Sequence, residues 1–142
     1  MNEKNKVVLS IKNVNKRYKL NKLQTFQALF DINIEFYAGE LVSIVGESGS
    51  GKSTLMNLIG GLDSNYSGKI IVDNENLREL NDKQLDKYRK DKVGFIFQSF
   101  NLIPHLSILD NVTLALTLSN VNEKEKLERA TQMLKKVGLA HE

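Results

Sequence analysis

Eight consecutive residues, Gly46-Glu47-Ser48-Gly49-Ser50-Gly51-Lys52-Ser53, constrain the fold of this chain more than any other feature. They match the pattern G-x-x-x-x-G-K-S/T. An apolar, β-branched run, Leu41-Val42-Ser43-Ile44-Val45, leads into them, and a helix-compatible run, Ser53-Thr54-Leu55-Met56-Asn57-Leu58-Ile59, leads out. Strand, glycine-rich loop and helix in that order is the context the pattern requires. The alternative, a glycine-rich turn that happens to precede a lysine, leaves both flanks unexplained.

The spacing follows from the chemistry of phosphate. Gly46, Gly49 and Gly51 allow backbone conformations that a Cβ would forbid. The amides of the loop, with Glu47, Ser48 and Ser50 between the glycines, can then wrap phosphate oxygens. The helix starting near Lys52 adds its free N-terminal amides and the positive end of its dipole. Lys52 is expected to reach the β- and γ-phosphates as a point charge, and Ser53 to ligate Mg²⁺. Thr54 is a candidate for the α-phosphate, although any small polar helix residue suits that position. The implied ligand is a nucleoside triphosphate with Mg²⁺.

The rest of the composition excludes several classes. The chain has 142 residues, 20 Lys and Arg against 17 Asp and Glu, a net charge of +3 and no cysteine. That length suits one domain or part of a larger one. Basic residues alternate with acidic ones at Asp82-Lys83, Asp86-Lys87 and Arg89-Lys90-Asp91-Lys92, the pattern of a solvated helix face rather than a nucleic-acid patch. Without cysteine there is neither a disulfide scaffold nor a thiolate zinc site. No apolar run approaches the length of a membrane span, and no apolar segment comes after the polar N-terminus as in a signal peptide. The expected location is cytoplasmic, or peripheral on the inner face of the cell membrane.

Along the chain, residues 7–14 alternate apolar and polar, predicting a half-buried strand with Val7, Leu9, Ile11 and Val14 inward. A polar loop is expected over 15–24, then strand over 26–36 broken near Asp31, and a turn at Ala38-Gly39-Glu40. Residues 41–45 read as a strand covered on both faces. The helix after the loop should stop at Gly60-Gly61. A short strand over 69–72 precedes a turn at Asp73-Asn74, and Asn81 or Asp82 caps a polar helix to about Asp91. Residues 93–97 read as a second apolar strand ending at Gln98. Pro104 breaks the next stretch. Ser107-Ile108-Leu109-Asp110 is a capping box, Asp110 reaching back to the Ser107 backbone, and Ile108, Val112, Ala115, Leu116 and Ser119 recur at helical spacing. A last helix begins at Asn122 and Glu125, presents Leu127, Ala130, Leu134 and Val137, and ends at Gly138.

Two further segments narrow the reading. Phe95-Ile96-Phe97-Gln98-Ser99-Phe100-Asn101-Leu102-Ile103-Pro104, followed by Leu106-Ser107-Ile108-Leu109-Asp110-Asn111-Val112, resembles the Q-loop region of ABC transporter ATPases, and Val14-Asn15-Lys16-Arg17-Tyr18 resembles their A-loop. Order and spacing agree over essentially the whole chain. Gly61-Leu62-Asp63 and Gln98-Ser99-Phe100-Asn101-Leu102 look most like the macrolide-export, lipoprotein-release and cell-division branch. The resemblance implies an α/β fold of the P-loop NTPase class: a RecA-like core, an N-terminal antiparallel β subdomain and the start of a helical subdomain, C-terminally truncated. Residues 1–45 would form the β subdomain and a core strand, 46–60 the P-loop and helix, 61–104 a β/α segment to the Q-loop, and 105–142 the start of the helical subdomain.

The same resemblance implies roles. Tyr18 would stack on adenine; otherwise it is a strand-end tyrosine. Gln98 would place its carbonyl on Mg²⁺ and its amide near the attacking water; otherwise it is a surface glutamine. Phe100, Leu102, Ile103 and Leu106 would either dock on a membrane permease subunit or pack under the helical segment. His105 acquires no role. The implied machine is a homodimer of ATPase subunits hydrolysing ATP with Mg²⁺ to drive a permease in export or in lipoprotein or peptide release, with no nucleic acid involved. Hydrolysis also needs a Walker B aspartate and a carboxylate after it, and the family uses an L-S-G-G-Q signature and a switch histidine. Leu118-Ser119-Asn120 only begins like that signature, and Ile70-Ile71-Val72-Asp73 mimics a Walker B strand but comes too early. The chain therefore reads as the N-terminal part of a longer ATPase, unable to turn over alone. In the family fold, strands from the remaining part lie between the strands ending at Gly46 and Gln98, which predicts weak stability here. The alternatives are a P-loop ATPase without a permease, acting on ribosomes or DNA, and a non-catalytic nucleotide-binding remnant.

Overall fold

Residues 6–117 and 121–139 are described in the computed structural model of the chain. They fall into two units, one ending at Phe95 and one beginning at Ile96.

The first unit is built on a four-stranded antiparallel sheet. β1 (Val7–Lys19) lies between β2 (Thr25–Tyr37) and β3 (Ser67–Val72), and the two-residue β4 (Glu75–Asn76) extends the β3 edge. β1 continues to Lys19, through the first half of the segment expected to be a polar loop, and residues 20–24 form the turn to β2. The pairing of β1 with β2 shifts between Ile11 and Val14, where Asn13 has a φ of 50°. This irregularity changes which residues face inward, so that Ile11 and Val14 are both buried. A polar network holds it: the Asn13 amide donates to Asn33 Oδ1 at 2.8 Å, its side chain to Asp31 Oδ1 at 2.9 Å, and the Asp31 amide to Asn15 Oδ1 at 3.0 Å. Asp31, with a φ of 45°, is the predicted break in β2.

α1 (Lys52–Ile59) buries Leu55 and Leu58 in a core shared with Ile11, Val14, Leu29, Tyr66, Ile70 and Leu77. It stops at Gly60 and Gly61 as expected. A short 3₁₀ turn, Leu77–Glu79, leads to α2 (Asp82–Lys92), whose capping box is made by Asn81 and Gln84. α2 is tied to the end of α1: the Tyr88 hydroxyl donates to the Ile59 carbonyl at 2.6 Å and Arg89 to the Gly61 carbonyl at 2.6 Å. The first satisfies a carbonyl that the helix end leaves without an intrahelical partner, and the second a carbonyl just past its cap. Asp73 and Asn74, with φ of 48° and 71°, form the turn between β3 and β4. Asp73 pairs there with Lys92 at 2.7 Å, which holds its carboxyl below the usual range.

Two predicted strands are absent. Residues 41–45 and 93–97 pair with no strand among the described residues. Leu41 is 100% exposed, Val45 88% and Ile96 100%. An apolar, β-branched run specifies an extended segment, but a strand exists only where a second backbone lies alongside to complete the ladder.

In the second unit α3 (Ile108–Thr117) packs against α4 (Glu123–Lys136). Asn122 caps α4 by accepting from the Glu125 amide at 2.9 Å. At the start of α3 the Ser107 hydroxyl accepts from the Asp110 amide at 3.0 Å, but the Asp110 carboxylate accepts a hydrogen bond from the Ser107 hydroxyl at 2.7 Å instead of reaching the backbone amide. The predicted apolar faces are only partly covered: Ala130 is buried, whereas Ile108, Leu127 and Val137 are exposed. Leu118, Ser119 and Asn120 lie outside the described residues. Among the described residues no helix is long and apolar enough to cross a membrane.

Candidate functional site

The glycine-rich loop turns where its glycines permit it. Gly49 and Gly51 have φ of 82° and 91°, in the left-handed region that costs a residue with a Cβ. The Ser50 amide closes a turn on the Glu47 carbonyl at 3.2 Å. A Cβ on Gly46 would stand 2.8 Å from Ser50 Oγ, so this position also keeps the loop narrow. Gly51 serves as the left-handed N-cap of α1 with no side-chain hydrogen bond, and no acidic residue occupies the first helical turn. The amides and dipole at that end are not already claimed by a carboxylate of their own helix.

Gly51 has a second reason to be glycine. β2 carries an extra residue at Ala28: Lys16 pairs with Leu29, and Arg17 pairs with Gln27. The Ala28 carbonyl packs against Gly51, and a Cβ there would come within 2.5 Å of it. The bulge thus sets the loop against the edge of the hairpin.

Lys52 stitches the loop together. Its ammonium donates to the Gly46 carbonyl at 2.8 Å, the Glu47 carbonyl at 2.7 Å and Ser50 Oγ at 3.3 Å. The positive charge sits on the loop itself. Ser53 is exposed in the first turn of α1, and Thr54 is half-buried beside it. A concave run of glycines, an uncapped helix start and a lysine folded over both form a chemically suitable cradle for a phosphate chain. Among the described residues no three His, Asp or Glu side chains gather to hold a metal ion.

Tyr18 is half-buried near the end of β1, opposite Phe26. The Lys16 ammonium lies 4.7 Å from its ring centroid. Lys16 is 2% exposed; it pairs with Asp63 Oδ2 at 2.6 Å and donates to the Asn65 carbonyl at 2.6 Å. Sequence reasoning passed over Lys16 because a lysine in a polar stretch reads as surface; the register shift that turns it inward is a property of strand pairing. Tyr18, the loop from Gly46 to Ser53 and Thr54 all belong to the first unit.

Gln98 belongs to the second unit, exposed at a bend after the extended segment 93–97. Phe100 is 93% exposed, and Leu102, Ile103 and Leu106 are partly so. The turn carrying Pro104 is held by Asn111, which accepts from the Ile103 amide at 2.8 Å and donates to the Ile103, Leu106 and Ser107 carbonyls at 3.0–3.2 Å. Asn111 was part of the resembling motif, but its clamping role needed the three-dimensional turn to be seen.

Comparison with known proteins agrees with this geometry. The family profile described as ABC transporter matches residues 29–142. An uncharacterized ABC transporter ATP-binding protein of Bacillus subtilis, YknY, is 44% identical over 94% of this chain and 57% of its own length. A probable export ATP-binding/permease protein, MacB, of Pseudomonas entomophila is 42% identical over 97% of this chain and 20% of its own. Among solved structures, a dimeric post-hydrolysis state of an ATP-binding cassette bound to ADP and Pi superposes with a TM-score of 0.81 at 43% identity, over 92% of this chain and 57% of that one. That cassette shares its name with a Methanocaldococcus jannaschii ABC transporter ATP-binding protein that is 43% identical to this chain. The chain spans little more than half the length of the stand-alone ATP-binding proteins it matches. The structural match bears out the predicted P-loop NTPase fold class.

Proposed function

The chain belongs to the ABC transporter family, and we propose that it carries the nucleotide-binding part of an ATPase subunit that couples ATP binding and hydrolysis to a membrane permease. The observation that supports this most is the loop at Gly46–Ser53: left-handed glycines, an uncapped helix start and Lys52 folded across them. The similarity to an export ATP-binding/permease protein supports a permease partner and a role in export, with lipoprotein or peptide release as the other role the sequence resemblance implies. The dimeric cassette structures support a homodimer, which a permease partner would hold at the inner face of the cell membrane.

In this reading the loop amides bind the phosphates, Lys52 neutralises charge on the β- and γ-phosphates, and Thr54 binds the α-phosphate. Ser53 would ligate Mg²⁺ and Tyr18 would stack on the base; Gln98, in the second unit, keeps its expected role in orienting the attacking water. Held by Ser53, Mg²⁺ would supply positive charge against the charge that develops on the phosphates in transfer. Residues 1–142 alone are expected to bind Mg·ATP without turning it over, because the sequence offers no Walker B aspartate with a carboxylate after it, which hydrolysis needs.

Calorimetric titration with Mg·ATP is the direct test. Lys52→Ala removes a charge-assisted contact and is expected to weaken binding by about 10-fold or more. Undiminished binding by Lys52→Ala refutes the phosphate-cradle assignment. Robust ATP turnover by residues 1–142, lost in Lys52→Ala, refutes the claim that this segment is catalytically incomplete.

A further inference from the structure

Lys16 is a buried cation whose partners are three different kinds of group. A carboxylate (Asp63, 2.6 Å), a main-chain carbonyl (Asn65, 2.6 Å) and an aromatic ring (Tyr18, 4.7 Å to the centroid) surround one ammonium. An ammonium has three protons, all pointing away from its stem. Two are used by the oxygen acceptors, and the ring quadrupole faces the same charge. The cost of burying a lysine is met only while this arrangement persists.

The partners lie on different elements. Tyr18 and Lys16 share β1, while Asp63 and Asn65 belong to the segment that leaves α1. α1 itself begins at the phosphate loop, and the Ala28 bulge opposite Lys16 and Arg17 touches Gly51 at the front of that loop. The β1–β2 hairpin is thus pinned to the loop–helix unit at both ends of the helix: β2 through Ala28 and Gly51 in front, and β1 through Lys16 and Asp63 behind.

We propose that Lys16 is a positioning residue for nucleotide: it fixes one face of the Tyr18 ring and locks it, through Asp63, to the helix that carries the phosphate loop, so that base platform and phosphate cradle move as one piece. This rests on the reading of Tyr18 as the base platform. Lys16 does not touch the nucleotide; it acts through the ring. Phosphate binding on its own needs only the loop and α1, so Lys16 matters for ligands that carry a base and not for those that lack one.

The experiment compares Mg·ATP with Mg·tripolyphosphate, by calorimetry on the full chain, for Lys16→Met, Asp63→Asn and Tyr18→Ala. Stacking on an aromatic side chain is worth ~1–3 kcal/mol per base, so a misplaced ring is expected to weaken ATP by about 10-fold in Lys16→Met. Tripolyphosphate affinity is expected to stay within about twofold, the effect of Lys16→Met on ATP to vanish in the Tyr18→Ala background, and Asp63→Asn to shift the ATP-to-tripolyphosphate ratio in the same direction, less far. Equal loss for both ligands, or for neither, in Lys16→Met overturns the proposal. If Lys16→Met does not fold, as judged by circular dichroism, Asp63→Asn decides: an unchanged ratio overturns it. If Tyr18→Ala itself leaves the ratio unchanged, the base-platform reading has failed; if Tyr18→Ala lowers it and Lys16→Met does not, only the role given to Lys16 has.

Discussion

Gly49 and Gly51 share a left-handed backbone but differ in surroundings. Nothing lies within 4 Å of a Cβ built on Gly49, whereas one on Gly51 meets the Ala28 carbonyl and the Leu29 side chain. Gly49→Ala is therefore expected to cost about 1–2 kcal/mol, the backbone penalty alone. Gly51→Ala adds an overpacking cost against main-chain atoms, for roughly 2–5 kcal/mol together. Chemical denaturation of the two variants checks this; equal losses mean that the Ala28 contact carries no energy. Tyr66 makes a different residue-scale prediction. Burial pushes its phenol up from 10.0 to about 12. The fold holds the neutral form, so the contribution is complete below pH 10, where the unfolded chain begins to ionise, and is lost as the pH rises through about 12. Tyr66→Phe should flatten the fall in stability over that alkaline window, and ultraviolet titration should show one late-ionising tyrosine fewer. An unchanged alkaline limb in Tyr66→Phe contradicts the assignment.

At the scale of elements, helix ends were legible because their signals are local. A cap, its partner three residues on and a glycine at the far end lie within one or two turns of the residues they punctuate, so Asn81, Asn122, Gly60-Gly61 and Gly138 could be placed from the sequence. The predicted strand at residues 7–14 stopped short for the opposite reason: the path of β1 beyond Asn13 depends on Asn33 and Asp31 across the hairpin, and on the bond from the Asp31 amide back to Asn15. The turn before α3 also hangs on one side chain. Asn111→Ala removes four hydrogen bonds to residues 103–107 and is expected to destabilise the second unit by about 1–3 kcal/mol. Amide hydrogen exchange should quicken across residues 103–107 more than along α4. A uniform change across both helices contradicts a local clamp.

Over the whole molecule, the largest departure from expectation is the state of residues 41–45 and 93–97. Leu41, Val45, Ile96 and Phe100 are all more than four-fifths exposed. Large apolar residues exposed this far recruit other chains. Residues 1–142 in isolation are expected to bind a hydrophobic dye such as ANS, to melt over a broad range and to aggregate at raised concentration. A sharp cooperative thermal transition without dye binding contradicts this.

By itself the sequence determined the phosphate loop, the helix caps and the family, because each is written in neighbouring residues or in motifs at fixed spacing. Gly46 to Ser53 needed no tertiary information to be recognised. Tertiary structure decided the rest. It turned Lys16 inward, set the Ala28 carbonyl against Gly51 and left residues 41–45 and 93–97 outside the sheet. Those outcomes depend on which backbone lies beside which, and strand pairing joins residues far apart in the chain. Hydrophobic pattern and spacing encode a tendency to pair, and only the fold supplies, or withholds, the partner.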